Sequence, residues 1–172
     1  MVIARPLPLL TIDPGKNALG WSYFGTAGFL VACGVVRAGD EEKNIALVAR
    51  LVMMELHRAI GHLPTAKRLV TEQMVVYKGP QQKGDPNDLI ALSFIAGGGH
   101  FLCAPDAELE LVQPARWKGQ VPKDIMQSRI ERSLEPMERQ LAEASLQSVP
   151  SGLKHNGWDA IGIALSSLDR LR

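Results

Sequence analysis

The run from Leu69 to Tyr77 constrains the fold of this chain more than any other segment. It is rich in β-branched residues and has few polar residues on either face, which predicts a central strand rather than an edge strand. Helical patterns precede and follow it, so we expect both faces of this strand to be covered. One acid, Glu72, lies within the run, and a carboxylate is expensive to bury unless a positive group meets it. Glu72 is therefore a candidate functional residue, although an exposed sheet face would also accommodate it.

The segments around this strand predict an α/β domain that begins with an antiparallel meander. Three apolar runs joined by short turns form the predicted meander: residues 9–13, 19–24 and 28–36. Apolar residues at helical spacing predict the helices: residues 40–62, 89–96, 123–134, 136–145 and 156–172. A polar surface loop is expected at 78–86, and the glycines 97–99 are expected to end the second helix. A fifth strand is predicted at 110–113, stopped by Pro114.

Composition favours one globular domain over residues 1–172, because 46% of the residues are hydrophobic and 22% are charged. The formal net charge of +1 exerts no strong global attraction on polyanions, so nucleic-acid binding would depend on local basic patches. Cys33 and Cys103 are expected to be buried free thiols. We expect a soluble intracellular protein, since no apolar window reaches the roughly 20 residues of a membrane span and the N-terminal run is too short for a signal peptide.

Two further acids stand where folding alone explains them poorly. Asp13 ends an apolar strand and is followed by Pro14-Gly15. A tight turn is the simplest account of Asp13, yet strand ends in α/β sheets also present ligand-binding groups. Asp159 lies four residues after His155, so the two side chains can share one helix face, or either can act as a cap or dipole partner.

These acids predict a metal site if the first and fourth strands are neighbours, because Asp13, Glu72 and Asp159 then converge. Hydrolysis of a phosphodiester by paired metals needs several oxygen ligands around two ions roughly 4 Å apart. Carboxylates are the hard ligands that Mg²⁺ prefers, and Mn²⁺ is expected to substitute. The trio therefore indicates a metal-dependent nuclease.

A basic stretch follows the fifth strand, and a basic, Gly- and Pro-containing loop follows the fourth. Such runs are usually solvated faces. Next to a metal centre they would instead follow phosphates, and Trp117 would offer a surface for base stacking. The candidate DNA-binding residues are Lys78, Arg116, Lys118, Lys123 and Arg129.

The chain resembles a RuvC-type Holliday junction resolvase of the ribonuclease H-like superfamily. Four stretches in the same order carry the resemblance: residues 12–15 with Gly20-Trp21, residues 71–73, residues 113–118 with Lys123, and residues 158–164. The resemblance implies a five-stranded mixed sheet flanked by helices, and a homodimer that nicks two strands of a four-way DNA junction with magnesium. By the same resemblance, Asp13, Glu72 and Asp159 would bind two metal ions, and Lys118 and Lys123 would contact DNA near the scissile phosphate.

Two positions depart from the family pattern. The family's fourth metal ligand is an Asp or His three residues before the last Asp, a position that Asn156 occupies here, so His155 is the alternative fourth ligand. His155 is also a candidate for taking the proton of the attacking water. An aromatic residue often follows the strand glutamate by three positions in the family, whereas this chain has Val75 there and Tyr77 two residues later.

Two other functions compete with the nuclease. The segment from Asp13 to Gly20 also resembles the first phosphate loop of the actin and sugar-kinase superfamily, which implies nucleotide binding. That superfamily uses two such domains, and 172 residues leave room for one. The second alternative is a DNA-binding module of the same fold that has no catalytic activity.

Overall fold

The structure, a computed structural model, describes residues 7–15, 18–39, 44–75 and 86–171, without the side chains of residues 86, 87, 102 and 103. Five strands form one sheet: β1 (Leu9–Asp13), β2 (Ala18–Phe24), β3 (Leu30–Arg37), β4 (Arg68–Glu72) and β5 (Glu108–Val112). The helices are α1 (Ile45–Ile60), α2 (Pro86–Cys103), α3 (Pro114–Trp117), α4 (Lys123–Ser133), α5 (Pro136–Leu146) and α6 (Lys154–Ser167), with a 3₁₀ turn at Ser151–Leu153.

The strand order is β3-β2-β1-β4-β5. β1, β2 and β3 pair antiparallel, whereas β4 pairs parallel with both β1 and β5. This is the predicted mixed sheet of an antiparallel meander plus two parallel strands. β4 lies between β1 and β5, which confirms that it is a central strand and that the first and fourth strands are neighbours. The strand is shorter than predicted, because it ends at Glu72 and residues 73–75 have no strand structure.

Helices cover both faces of the sheet and enclose two apolar clusters. On one face α6 lies over β1 and β2, α4 packs against α6, and α5 lies over β3. On the other face α1 lies over β2 and β3 and packs against α2. The alternation of side chains along β1 divides them between the two clusters, since Leu9 joins the α6 cluster and Leu10 joins the α1 cluster. Alternate residues of β1 and β4 therefore face opposite helix layers.

The predicted end of α2 at the three glycines is wrong, because the helix continues through them to Cys103. A Cβ on Gly98 would lie 3.1 Å from the Cγ and Sδ of Met53 in α1. A Cβ on Gly99 would lie 2.9 Å from the Cδ1 of Ile12 in β1. These two glycines thus permit close packing of α2 on α1 and the sheet, and this packing offsets the low helix propensity of Gly.

Other boundaries differ from the predicted ones by a few residues. α1 begins at Ile45 after an Asn44 cap, whose side chain accepts hydrogen bonds from the backbone of Ala46 and Leu47. The acids 40–42 that were predicted to begin α1, and most of the predicted loop at 78–86, lie outside the described residues. α6 ends at Ser167, and α3 was not predicted. Among the described helices, none combines the length and the apolar character needed to cross a bilayer.

Candidate active site

The carboxyl ends of β1 and β4 place two acids side by side. The parallel register pairs Ile12 with Thr71, so Asp13 and Glu72 are the next residues at the same level of neighbouring strands. Asp13 lies four residues after Leu9 in β1, and Glu72 lies two residues after Val70 in β4. Each acid is therefore on the same face of the sheet as that apolar residue. Both acids therefore point toward the α6 layer, where Leu9 and Val70 are buried.

α6 brings the third acid to the same place because two strands hold the helix very close to the sheet. Thr11 of β1 donates a hydrogen bond to the carbonyl oxygen of Ala160 at 2.8 Å, and Ser22 of β2 reaches the same oxygen at 3.2 Å. A Cβ on Gly20 would lie only 1.9 Å from the carbonyl oxygen of Asn156, so no larger residue fits below this helix turn. Asp159, next to Ala160, is thereby fixed above Asp13.

The three carboxylates repel one another, and Asp13 is the most affected. Its side chain is 8% exposed. Burial raises the pKa of Asp13 well above its usual range, and the charges of Asp159 and Glu72 raise it further. The site therefore has an excess of negative charge that a cation would stabilise.

Lys118, at the end of α3, supplies part of that positive charge. Its Nζ lies 3.2 Å from Oδ2 of Asp159 and 3.4 Å from Oε1 of Glu72. Burial disfavours the charged ammonium group, but the carboxylates of Glu72, Asp159 and Asp13 outweigh this effect and raise the pKa of Lys118. One ammonium group among three carboxylates leaves the cluster short of neutrality.

Trp117 does not have the predicted stacking role, because its side chain is buried at 4% exposure. Its indole Nε1 donates a hydrogen bond to Oε1 of Glu72 at 2.9 Å, and the Nζ of Lys118 lies 4.7 Å from the ring centroid. A buried indole N–H needs a partner, and here the partner is a candidate metal ligand. Trp117 therefore positions Glu72 and Lys118. The signal that sequence reasoning missed is Pro114, because Pro is favoured at the first position of a helix and therefore indicates the start of α3.

The two candidates for a fourth ligand have different surroundings. Asn156 donates from Nδ2 to the carbonyl oxygen of Ala18 at 3.4 Å, so its amide faces the start of β2. His155 interacts electrostatically with Asp159 and hydrogen-bonds to the backbone of Gly152. Burial lowers the pKa of His155, and the charge of Lys123 lowers it further. The charges of Lys123 and Asp159 therefore act on the pKa of His155 in opposite directions.

The other predicted basic residues that the structure describes lie on α3 and α4. Lys123, exposed at the start of α4, lowers the pKa of Asp13 through its charge. Arg116 is exposed on α3, and Arg129 is half-buried on α4. Lys78, like Tyr77, lies outside the described residues.

The chemistry of the donor groups fits a divalent cation, although their arrangement is closed around Lys118. Carboxylate oxygens are the ligands that magnesium and manganese prefer, and the buried, crowded Asp13 gains most from a nearby cation. Within the described residues, no three His, Cys, Asp or Glu side chains are arranged to hold a metal ion as they stand. Cation binding here would require the Nζ of Lys118 to leave its place beside Glu72 and Asp159.

Comparison with solved structures gives the fold. The Thermus thermophilus RuvC in complex with Holliday junction substrate has 14% sequence identity and a TM-score of 0.56, with 93% of this chain and 92% of that chain covered. Another Thermus thermophilus RuvC structure has 18% identity and a TM-score of 0.54 over the same shares. The yeast mitochondrial Holliday junction resolvase Ydc2 has 14% identity and a TM-score of 0.62, with 98% of this chain and 81% of that chain covered.

The chain has the fold of RuvC-type resolvases. Its sequence identity to these proteins is low, at 14% to 18%. No protein-family model matches it, and no curated protein is similar to it in sequence. The predicted fold class is thus confirmed by the sheet topology and by this structural similarity.

Proposed function

We propose that this protein is a metal-dependent endonuclease that cuts branched DNA, with four-way junctions as its preferred substrate. The observation that carries the proposal is the convergence of Asp13, Glu72 and Asp159 on one side of the sheet, with Lys118 between two of them. An acid such as Asp13, whose pKa is raised first by burial and then by two neighbouring acids, is costly for folding, and such perturbed groups are concentrated at functional sites. The structural similarity to two RuvC structures and Ydc2 supports the substrate class.

In the proposed mechanism, Asp13, Glu72 and Asp159 would hold two magnesium ions, or manganese in their place. When bound, these ions would polarise the phosphate, activate a water molecule and stabilise the departing 3′ oxygen. Glu72 is oriented for this task by Trp117, which fixes one of its carboxylate oxygens. Lys118, released from the carboxylates, turns its ammonium group toward the phosphate backbone, since it lies in the same cluster.

We propose His155 rather than Asn156 as the fourth polar group of the site. Asn156 uses its amide N–H₂ on the backbone of Ala18, whereas His155 lies within range of the charge of Asp159. His155 would then act as a ligand or accept the proton of the attacking water. His155→Ala should reduce cleavage more than Asn156→Ala does, and equal losses in the two variants would contradict this assignment.

DNA is proposed to approach over the basic side chains of α3 and α4. Lys118 and Lys123 lie nearest the acids, and Arg116 and Arg129 would extend the contact along the backbone. Lys78 remains a candidate contact from the predicted loop. Two symmetric cuts require two sites related by a two-fold axis, so the active species is proposed to be a homodimer.

The test is incubation of the purified protein with synthetic four-way junctions, flaps and linear duplexes, with and without Mg²⁺ or Mn²⁺. We expect paired nicks in the junction that depend on the divalent cation and are lost in Asp159→Asn, while junction binding by that variant remains measurable. Asp124→Asn, on the exposed first turn of α4, is the matched control for removing an acid and should cut normally.

The remaining outcomes separate the alternatives. Junction binding without cleavage under any divalent cation would favour a non-catalytic DNA-binding module. Binding of ATP by the purified protein would favour the nucleotide-binding alternative. Equal cleavage of junctions and linear duplexes would keep the nuclease and remove the junction preference.

A further inference from the structure

The ammonium group of Lys118 is bound to the same carboxylates that the proposed metal ions need. Its Nζ lies 3.2 Å from Oδ2 of Asp159 and 3.4 Å from Oε1 of Glu72. The side chains of these two acids are each 17% exposed, so few directions of approach to them remain open. Magnesium binds carboxylate oxygens at about 2.0–2.1 Å and repels any positive charge held on the same oxygens. The ammonium group and a divalent cation therefore compete for these carboxylates.

The backbone of Lys118 is held in place, so its side chain is the part that can leave the carboxylates. Lys118 is the C-cap of α3, and its N–H and that of Gly119 donate to the carbonyl oxygen of Pro114 at 3.0 Å and 3.2 Å. Gly119 has a φ of +58°, the left-handed conformation that commonly follows a helix. The Lys118 side chain is 30% exposed and carries its charge at the end of a flexible stem. A change of rotamer is thus enough to turn the ammonium group from the acids toward solvent.

The charges make the two cations alternatives rather than partners. With Nζ of Lys118 beside them, Glu72 and Asp159 have a nearby positive charge without any metal. A divalent cation brings twice that charge, and it can also meet the buried Asp13. If the ammonium group stayed while the metal entered, two positive groups would share the same oxygens, and like charges repel as strongly as opposite charges attract at equal distance.

A phosphate group would give the displaced ammonium group a new partner. Arg116 on α3 and Lys123 at the start of α4 are exposed on the helices that flank Lys118. DNA that lies over these helices places its phosphates next to the outward position of the Lys118 side chain. The substrate then removes the competitor when it brings the scissile bond to the carboxylates.

We infer that Lys118 is a built-in competitor of the metal ions, which keeps the DNA-free site poor in metal and couples metal binding to DNA binding. The inference rests on the proposed function, which identifies the polyanion as DNA. Coupling between two ligands is reciprocal, so DNA that tightens metal binding is itself bound more tightly when metal is present. The protein thereby acquires its cations chiefly on its substrate.

The first test is Mn²⁺ binding by the full-length protein without DNA, measured from the electron paramagnetic resonance signal of free Mn²⁺. Lys118→Met should lower the Mn²⁺ dissociation constant by about 10-fold, within the ~5–150-fold range of typical couplings between sites. Methionine keeps a flexible, unbranched side chain that can pack on the Trp117 ring. Lys118→Arg keeps a cation at this position and should bind Mn²⁺ at least as weakly as the wild type does.

Lys123→Met is the matched control for the loss of one positive charge near the acids. Lys123 is exposed at the start of α4 and acts on Asp13 through its charge. Its removal should lower the Mn²⁺ dissociation constant by less than about 3-fold, because salt screens charges that are exposed to water. Circular dichroism checks that each variant is folded, and Lys118→Gln is a second neutral replacement that guards against a folding defect in Lys118→Met.

The second test is the affinity for a synthetic four-way junction, measured by fluorescence anisotropy with and without Ca²⁺. Ca²⁺ replaces Mn²⁺ here because its larger and less regular coordination shell suits binding better than hydrolysis. Ca²⁺ should tighten junction binding by the wild type about 10-fold. The same addition should tighten binding by Lys118→Met about 3-fold or less, since only direct contact between the cation and the phosphates remains.

The outcomes distinguish this competition from the proposed function. If Lys118→Met binds Mn²⁺ no more tightly than Lys123→Met, or responds to Ca²⁺ as the wild type does, the inference is overturned. Absence of Mn²⁺ binding by all of these proteins would overturn it together with the proposed metal centre. Tighter Mn²⁺ binding by Lys118→Met, with no cleavage of branched or linear DNA by the wild type, would refute the proposed function and leave the competition standing.

Discussion

The candidate site and the surroundings of Glu138 each combine a buried or half-buried acid with a basic side chain, and they differ in electrostatic balance. In the candidate site three carboxylates share one lysine, and the pKa of the most buried acid is raised. At the other end of the α6 layer, Glu138 of α5 is 4% exposed and is met by Arg170 beyond the end of α6. The two nitrogens of Arg170 lie 3.1 Å and 2.5 Å from the two carboxylate oxygens of Glu138.

Glu138 is fully satisfied by its surroundings. The backbone N–H groups of Leu30 and Glu135 also donate to it, at 2.6 Å and 2.9 Å. Burial alone would raise the pKa of Glu138, but the hydrogen bonds and the charge of Arg170 outweigh it and lower the pKa. Glu138 and Asp13 are both buried but differ in their partners, so burial of an acid does not by itself indicate function. An acid that joins α5 to β3 has a partner for each oxygen, whereas the acids of the candidate site lack enough positive charge.

The largest expected effect is on cleavage. Asp13→Asn should reduce the rate of metal-dependent junction cutting on the order of 10⁴-fold, the scale of losing one member of a catalytic constellation. Glu138→Gln should leave the rate of the folded protein unchanged, because the Glu138 region lies outside the site. Single-turnover assays on both variants make the measurement. Substantial cutting by Asp13→Asn would show that the acids of the candidate site are no more important for cleavage than Glu138.

The next effect is on stability in the Glu138 region. Glu138→Gln should lower the free energy of unfolding by about 3 kcal/mol, because it leaves Arg170 with a partner that carries no charge. Glu55→Gln, which removes the acid of an exposed pair with Arg58 in α1, is the matched control and should cost at most about 0.5 kcal/mol. Urea unfolding at neutral pH compares them, and equal losses would show that Glu138 contributes no more than a surface pair.

Replacing an acid by its amide should have the opposite effect on the free energy of unfolding in the candidate site. In the presence of EDTA, Asp13→Asn should raise the free energy of unfolding by about 1 kcal/mol, because it removes one charge from a crowded trio. This is a fraction of the ~4 kcal/mol between two charges 4 Å apart at an effective dielectric constant of 20. Destabilisation of the metal-free protein by this variant would contradict an excess of negative charge at the site.

The smallest expected effect is the pH dependence of the contribution that Glu138 makes to the free energy of unfolding. Since the pKa of Glu138 is lowered in the folded protein, its contribution is fully present above the unfolded value of about 4.3. The contribution is lost as the pH falls through the lower folded value. The stability difference between wild type and Glu138→Gln should therefore shrink between about pH 5 and pH 3. A difference that stays constant over this range would mean that the lost hydrogen bonds are independent of charge.

Sequence reasoning located the acids of the candidate site because an acid inside or at the end of an apolar strand is visible in one dimension. Glu72 and Asp13 stand out in this way, and the β-rich run around Glu72 also predicted the central strand. The chain alone could not show that Gly98 and Gly99 lie against Met53 and Ile12, so local propensity wrongly ended α2 there. Nor could it show that Trp117 turns inward to Glu72, because exposure depends on tertiary packing.

The acid Glu138 illustrates the opposite limit. It lies in a polar helix and has the sequence context of an ordinary surface residue. No residue near it in the sequence indicates a contact with Arg170 or Leu30. Its burial follows from the position of α5 over β3, a contact between segments more than 100 residues apart. Long-range pairs of this kind require the tertiary structure.

Thr11 and Asp13 stand two residues apart on the same side of β1, and Thr11 holds the Ala160 carbonyl of α6. The distance between Asp13 and Asp159 is thus set by the two-residue spacing of Thr11 and Asp13 on β1. Insertions and deletions in the outer helices during evolution would leave that separation unchanged.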